Sequence, residues 1–314
     1  MKNFPLKDDD VQKILDKYNL GKLYSLEKIE EGLINLIQLI NSKYILRIEL
    51  HTFEQNPNKL KREAVLYNLL PKLSLPTPHL IGFDDSKEII DAPYILINYI
   101  PGKNLKLSFG YLNKLQQQTI SYELGEIAKK IHSITLQDIG IGNETIFGNI
   151  KKRITKSIID FEIYWKVVKD KNYLTDEVKT EIISTFNQFK KLNWDKIGRL
   201  THGDFSASNI QIHEGKIVGI FDFEYSFIAD PLWDLQKLPM SFQLGSDFRK
   251  EEFLKGYGVK GFTDEEKIRL KMHCFHQGVW EIWATVTKFM PFSGKEIEEG
   301  KELINSTIKY ELLH

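Results

Sequence analysis

The stretch that orders the rest of the chain is Arg199-Leu200-Thr201-His202-Gly203-Asp204-Phe205-Ser206-Ala207-Ser208-Asn209-Ile210, followed by Ile220-Phe221-Asp222-Phe223-Glu224 and Ala229-Asp230-Pro231-Leu232-Trp233-Asp234-Leu235. Asp204 and Asn209 stand five positions apart in a short polar loop, and the run from Asn209 to His213 has strand character. Glu214-Gly215 predicts a turn, after which Lys216 to Phe221 returns as a second strand ending at Asp222. Such a hairpin delivers three oxygen-bearing side chains, Asp204, Asn209 and Asp222, to one place. Phosphoryl transfer asks for little else from a protein: a carboxylate to orient the attacking hydroxyl, and hard oxygen ligands for Mg²⁺ on the phosphates. Loops favour Asp and Asn for reasons of turn chemistry alone. That explains one residue at a time, but not the ordered set His202, Asp204, Asn209, Asp222, Asp230 and Asp234.

The spacing is similar to the protein-kinase catalytic loop H-R-D-x-x-x-x-N, with Asp222-Phe223-Glu224 standing where kinases carry D-F-G. Together with His202-Gly203-Asp204, the stretch resembles the aminoglycoside phosphotransferase family, small-molecule kinases with relatives acting on macrolides, choline, homoserine and sugars. The resemblance implies an α+β, two-lobed protein-kinase-like fold, with a small antiparallel-sheet lobe over residues 1–98, a hinge at 99–102, and a larger, mainly helical lobe over 103–314. It implies ATP or GTP as co-substrate and Mg²⁺ as cofactor. In that plan Asp204 is the catalytic acid-base group, Asn209 and Asp222 are the metal ligands, and His202 and Asp230 support the catalytic loop, Asp230 by bonding its backbone. Asp230 also reads as an N-cap for the helix that begins at Pro231.

A chain of 314 residues is long enough for two cores, since single cores stop growing near ~250 residues. Lys plus Arg and Asp plus Glu each number 43, so no net field gathers nucleic acid or an anionic membrane, and neither is expected as a partner. A hydrophobic content of 42% with 19 Phe and 13 Tyr describes an ordinary globular chain. The single Cys274 excludes an internal disulfide and a cysteine zinc cluster, which suits a reducing compartment. The N-terminal run Met-Lys-Asn-Phe-Pro-Leu-Lys-Asp-Asp-Asp lacks an apolar core, and no run approaches 18 apolar residues. A cytoplasmic protein acting on a small molecule is the expectation.

In chain order, Val11, Ile14, Leu15 and Tyr18 predict a first helix closed by Gly21, with Asp8-Asp9-Asp10 in its N-cap and first turn. Leu23 to Ile29, Leu33 to Ile40 and Tyr44 to Leu50 predict a three-stranded antiparallel meander. The resemblance puts the first turn, around Gly32, in the place of the nucleotide-covering loop, although a lone glycine there is also plain turn chemistry. Arg47 is the one cation in the third strand, and a buried cation needs a partner. Glu63, early in the following helix, offers one, and the resemblance makes Arg47 the phosphate-contacting cation and Glu63 its carboxylate. The competing reading is an edge-strand Arg reaching solvent.

Strands near Leu80 to Phe83 and Tyr94 to Tyr99 follow. Ile97-Asn98-Tyr99-Ile100-Pro101-Gly102 is then the hinge, where the resemblance has backbone groups at Asn98 and Ile100 bind the nucleotide base. Helical spacing returns over Leu112 to Ile134, Ile150 to Val168, Thr175 to Leu192 and Asp264 to Lys288. His132 reads as a buried, hydrogen-bonded structural residue, and His273, Cys274 and His276 do not share a helical face that would suit a metal. Glu224, Glu281, Trp280 and Trp283 are the candidate acceptor contacts: carboxylates attract ammonium groups and indole faces add cation-π attraction. The acceptor expected from them is an aminoglycoside, with a metabolic kinase of homoserine, choline or a sugar as the alternative enzyme, and a nucleotide-binding pseudokinase as the non-enzyme reading. Trp280 and Trp283 also have the ordinary three-residue spacing of a core face.

Overall fold

The computed structural model describes residues 6–31, 35–50, 58–140, 142–195, 197–290 and 292–310. The chain divides into two compact units, one formed by residues 1–103 with 209–225 and the other by 104–208 with 226–314. The first boundary lies beside the expected hinge. The hairpin carrying Asn209 and Asp222, expected with the helical lobe, belongs instead to the first unit.

In that unit five strands, β1 (Leu26–Glu31), β2 (Asn35–Ile40), β3 (Tyr44–Glu49), β4 (Leu80–Asp84) and β5 (Tyr94–Asn98), form one sheet in the order β1-β2-β3-β5-β4. Every neighbouring pair is antiparallel. β1 starts three residues later than the apolar pattern suggests and carries a bulge between Lys28 and Glu30. Helix α1 (Asp8–Lys17) places Asp8, Asp9 and Asp10 in its first turn, where the helix dipole favours them, although the N-cap itself is Lys7. Its apolar stripe Val11, Ile14 and Leu15 is fully buried with Leu36, Ile40, Leu46, Ile48 and Leu96 of the sheet. The packing is close enough that a Cβ at Gly82 would meet the Tyr18 ring at 2.1 Å, so any side chain there would have to displace that ring. Helix α2 (Lys59–Leu69) follows, entered through Asn58 in the left-handed conformation.

The 210–220 hairpin pairs Ile210 with Ile220 and Gln211 with Gly219. Its turn places Glu214 and Gly215 both at positive φ, 49° and 76°, the geometry of a tight two-residue hairpin. The Ile220 N–H donates to the Pro76 carbonyl at 2.7 Å, anchoring the hairpin within the first unit.

The second unit is helical. The helices Ile150–Val168, Asp176–Phe189, Asp264–Val286 and Glu296–Lys309 share a core that includes Phe161, Val168, Ile182, Phe189, Phe275, Val279, Ile282 and Ile304. The longest, Asp264–Val286, starts with a capping box between Thr263 and Glu266, which satisfies N–H groups that the first turn leaves open. It approaches Glu296–Lys309 so closely that a Cβ at Gly300 would lie 2.5 Å from the Gly278 carbonyl oxygen. A two-stranded ribbon, Arg199–Thr201 with Phe227–Ala229, brackets the loop that holds Asp204. No helix among the described residues is long and apolar enough to cross a membrane.

Candidate active site

Arg47 sits on β3, which is flanked by β2 and β5 and is therefore a central strand. The edge-strand reading of this cation is thereby removed. Its Nη1 donates to both oxygens of Glu63 at 2.8 Å each, and its Nη2 to Glu224 Oε2 at 2.6 Å and to Asp222 Oδ1 at 3.2 Å. Glu63 is fully buried. An unpaired carboxylate there would carry a large desolvation cost, which the planar guanidinium offsets through short charge-assisted bonds. Burial still dominates for Glu63, pushing its carboxyl above the ordinary range against the pull of Arg47. Burial opposes the charge on Arg47 as well, but Glu63, Asp222 and Glu224 outweigh it and hold the guanidinium above its ordinary range.

The same glutamate governs the turn after the hairpin. Glu63 Oε1 accepts from the Phe223 N–H at 3.2 Å and from the Tyr67 hydroxyl at 3.2 Å, while that hydroxyl accepts from the Asp222 N–H at 3.1 Å. Asp222 is held at φ 68°, left-handed backbone that costs a non-glycine residue energy and that the surrounding bonds enforce. Its side chain keeps 35% exposure, so one carboxylate oxygen is bound to Arg47 while the group still faces solvent. The Phe221 N–H donates to the Asn209 carbonyl at 2.9 Å, which sets Asn209 across the ladder from the residue before Asp222. An amide oxygen and a partly exposed carboxylate are hard donors of the kind Mg²⁺ takes. Two protein ligands leave the rest of an octahedral shell to phosphate and water. The residues fit the ion.

Glu224, expected among the acceptor contacts, is placed elsewhere. It is only 4% exposed. Its carboxylate is committed to Arg47, burial raises its pKa, and its backbone carbonyl accepts from the buried Arg62. A carboxylate so enclosed does not meet an acceptor. At the hinge, the Asn98 N–H donates to His79 O at 3.3 Å and its side chain accepts from the His79 N–H at 2.5 Å. Ile100, by contrast, has neither backbone group bonded among the described residues. Gly32 lies outside the described residues.

In the second unit the loop from His202 to Asp204 is held mainly from one short turn, Pro231–Leu235. The Asp234 carboxylate accepts from the His202 N–H at 2.7 Å and from the Gly203 N–H at 2.9 Å. The Trp233 indole N–H donates to the Gly203 carbonyl at 3.2 Å. The Ser226 hydroxyl donates to the His202 carbonyl at 3.0 Å, and Asp204 N–H to His202 Nδ1 at 3.3 Å, which leaves the imidazole proton on Nε2. Gly203 takes φ 87°, a conformation that suits glycine at the point where the loop turns. The Asp204 carboxylate remains 42% exposed, with Lys237 Nζ 3.4 Å from its Oδ1. An oriented and accessible carboxylate is of the kind that can accept a hydroxyl proton.

The resemblance assigned the loop-bonding acid to Asp230, and the structure assigns those bonds to Asp234. Asp230 caps the turn through the Leu232 N–H at 3.1 Å and binds Arg269 at 3.3 Å and His273 Nε2 at 2.8 Å. Burial raises its pKa, but His273, Arg269 and that N–H prevail and hold it below the ordinary range. Both acids lie in Asp-Pro-Leu-Trp-Asp, and only their three-dimensional partners tell them apart. His132 is the third group on Asp234, with Nε2 at 2.9 Å and its Nδ1 2.8 Å from the Tyr257 hydroxyl, the buried structural role its sequence position suggested. His276 is driven down to about 3 by burial, a neutral ring in the core.

Of the acceptor candidates on Asp264–Val286, Trp283 packs on the helical core and on Tyr164 and Phe289, with centroids 4.5 and 5.0 Å away. Trp280 meets Phe292 edge-on at 5.8 Å. Glu281 accepts from Gln277 at 2.9 Å, and burial pushes it up to about 7. Sequence reasoning missed Tyr67, Lys237 and the loop-clamping part of Asp234. Tyr67 had a signal, being four residues after Glu63 on the same helical face. Lys237 had none.

The phosphotransferase enzyme family model matches residues 25–270. Acyl-CoA dehydrogenase family member 10 of Mus musculus is 25% identical over 314 aligned residues, covering 92% of this chain and 28% of that protein. Protein LicA of Haemophilus influenzae is 30% identical over 154 residues, 46% of this chain and 43% of that one. The chain thus spans less than half the length of these curated relatives. Among solved structures, the GDP and kanamycin complex of APH(2")-IIia superposes with a TM-score of 0.67 at 16% identity, covering 97% of this chain and all of that one. That likeness establishes a shared kinase-like fold.

Proposed function

The chain belongs to the phosphotransferase enzyme family, and from that premise we propose that it transfers the terminal phosphoryl group of ATP or GTP to a hydroxyl of a small molecule, with Mg²⁺. The observation that carries the reading is the guanidinium of Arg47, fixed by Glu63 and touching Asp222 at the end of the hairpin that begins at Asn209. In this reading Arg47 binds nucleotide phosphate, Glu63 orients it, and the open backbone groups of Ile100 receive the base. Asn209 and Asp222 would hold Mg²⁺, which when bound neutralises phosphate charge. Asp204 takes the proton of the acceptor hydroxyl, its direction set by the backbone clamp of Asp234. His202 supports the loop from beneath.

For the acceptor we propose a cationic compound, with aminoglycosides first. Glu281 is an acid with Trp280 and Trp283 beside it in sequence, and a neighbour of the same fold is solved with kanamycin. The burial of Glu224 removes one acid from that set, which favours, as a second reading, a smaller cation such as choline or a zwitterion such as homoserine.

The test is direct. The purified protein with Mg²⁺ and ATP or GTP is offered kanamycin, choline, homoserine and a neutral sugar, and products are read by mass. Phosphorylated kanamycin supports the first reading and phosphocholine or phosphohomoserine the second. The absence of both Mg²⁺-dependent nucleotide binding by calorimetry and any phosphorylated product overturns the proposal. Asp222→Ala should lose Mg²⁺-dependent binding more completely than Asn209→Ala, because the carboxylate supplies charge as well as an oxygen.

A further inference from the structure

The turn Pro231–Leu235 and the residues just after it grip three consecutive loop residues in order. Trp233 holds the Gly203 carbonyl, Asp234 holds the His202 and Gly203 N–H groups, and Lys237, one turn on, reaches the Asp204 carboxylate itself at 3.4 Å. The Lys237 backbone is fixed in its turn, its carbonyl accepting from the Phe242 N–H at 2.9 Å. Its side chain is 21% exposed, enclosed enough for the pair to escape full screening. Lys237 also favours the ionised form of Glu281, which Glu296 and Glu299 of the last helix oppose. The groups that face the Asp204–Lys237 pair are therefore His202 within the loop, Glu281 from the long helix, and behind it Glu296 and Glu299.

We propose that Lys237 is a positioning residue for Asp204: just after the turn that clamps the loop backbone, one ammonium holds the carboxylate in place. The inference deepens the reading of Asp204 as the proton acceptor and rests on it for its catalytic consequence. Its structural content stands separately. An exposed carboxylate that nothing holds rotates among several orientations, and a misplacement of about 1 Å at a reacting group costs on the order of 10²-fold in rate. One fixed cation limits that rotation without burying the group.

Two measurements on the full chain test this. The carboxyl carbon resonance of Asp204, assigned by its loss in Asp204→Asn, is titrated in wild type, Lys237→Met and Lys237→Arg. Removing a cation at this distance should raise the Asp204 midpoint by about one pH unit, and Lys237→Arg should return it. In parallel, turnover of Mg·ATP with water and with kanamycin as acceptors should fall roughly tenfold in kcat for Lys237→Met, with the nucleotide KM unchanged and recovery in Lys237→Arg. Thermal melts separate unfolding from these effects. An Asp204 midpoint unmoved in Lys237→Met overturns the proposal, whatever the activity. If instead the midpoint moves as expected while Asp204→Asn retains full turnover, the positioning stands and the assignment of Asp204 as proton acceptor is what fails.

Discussion

The two units treat their functional carboxylates in opposite ways. In the first, Glu63 and Glu224 are sunk beside one guanidinium, each bound on several sides, and only Asp222 of the three acids around Arg47 stays partly open. In the second, Asp204 lies 42% exposed with one lysine, while the acid that holds its loop, Asp234, is buried. Buried acids here do mechanical work, fixing a cation or a backbone, because losing any partner would strand a charge in low dielectric. The exposed acid keeps its carboxylate open to solvent. The contrast shows that burial separates acids fixed by several partners from an acid open to solvent, even where both are Asp or Glu and sequence treats them alike.

The largest effect should come from the exposed acid and appear in rate alone. Asp204→Asn is expected to lower kcat by roughly 10²- to 10⁴-fold while leaving the melting transition in place. A large stability loss would break the contrast. The buried acid should behave the other way round, with Asp234→Ala costing about 3–5 kcal/mol in urea unfolding, since His132 and two N–H groups lose their acceptor. Asp230→Ala should cost a comparable amount by stranding Arg269 and His273, yet reduce kcat less, because the loop backbone keeps its clamp. Equal losses of kcat in the two variants would contradict the assignment of the loop to Asp234.

Smaller effects sharpen the comparison. A double-mutant cycle on Arg47→Ala and Glu63→Ala, read as nucleotide affinity, should show coupling of about 1–3 kcal/mol, and additive losses would show that the buried pair does not act as one unit. Glu281 offers a pH signature. Its folded pKa of about 7 lies above the ordinary carboxylate value, burial being the main cause. The folded state therefore binds the proton more tightly. The stabilisation is complete below the unfolded pKa near 4.5 and is lost as pH rises through about 7. Glu281→Gln does not ionise, so relative to wild type it should gain about 1 kcal/mol or more between pH 5 and pH 7.5. A constant difference across that range would mean the group is solvated. At the lower end, the exposed pair Lys151–Asp195 is close at 2.8 Å, yet Lys151→Ala should change stability by less than about 0.5 kcal/mol.

The alternation and turn chemistry of 23–50 predicted the meander, and the apolar spacing of 11–18 predicted a helix lying on it. The helix of 264–286 could be read from its acidic start and its periodicity. Local patterns carried these because they encode which face of an element must leave water. The hairpin at Glu214-Gly215 was equally legible, since a tight turn needs residues that accept positive φ. What failed were statements about partners. Glu224 follows Asp222-Phe223 and reads as one more acid near a site, yet its neighbours on β3 and α2 are well over a hundred residues distant in sequence.

By itself, then, the sequence determined the family, the elements, and the residues proposed for the chemistry: the His202-Gly203-Asp204 loop, Asn209 and Asp222 at kinase-like spacing, and a strand cation with a helix glutamate to match. Tertiary structure alone decided which of two acids three residues apart clamps the loop, that Glu224 is enclosed with Arg47, and that Lys237 faces Asp204. The physical reason is the range of the interactions involved. Helices, strands and turns answer to contacts a few residues apart, which spacing displays. The role of a charged side chain is set by desolvation and by the particular donors and acceptors that close around it, and those arrive from distant parts of the chain only when it has folded.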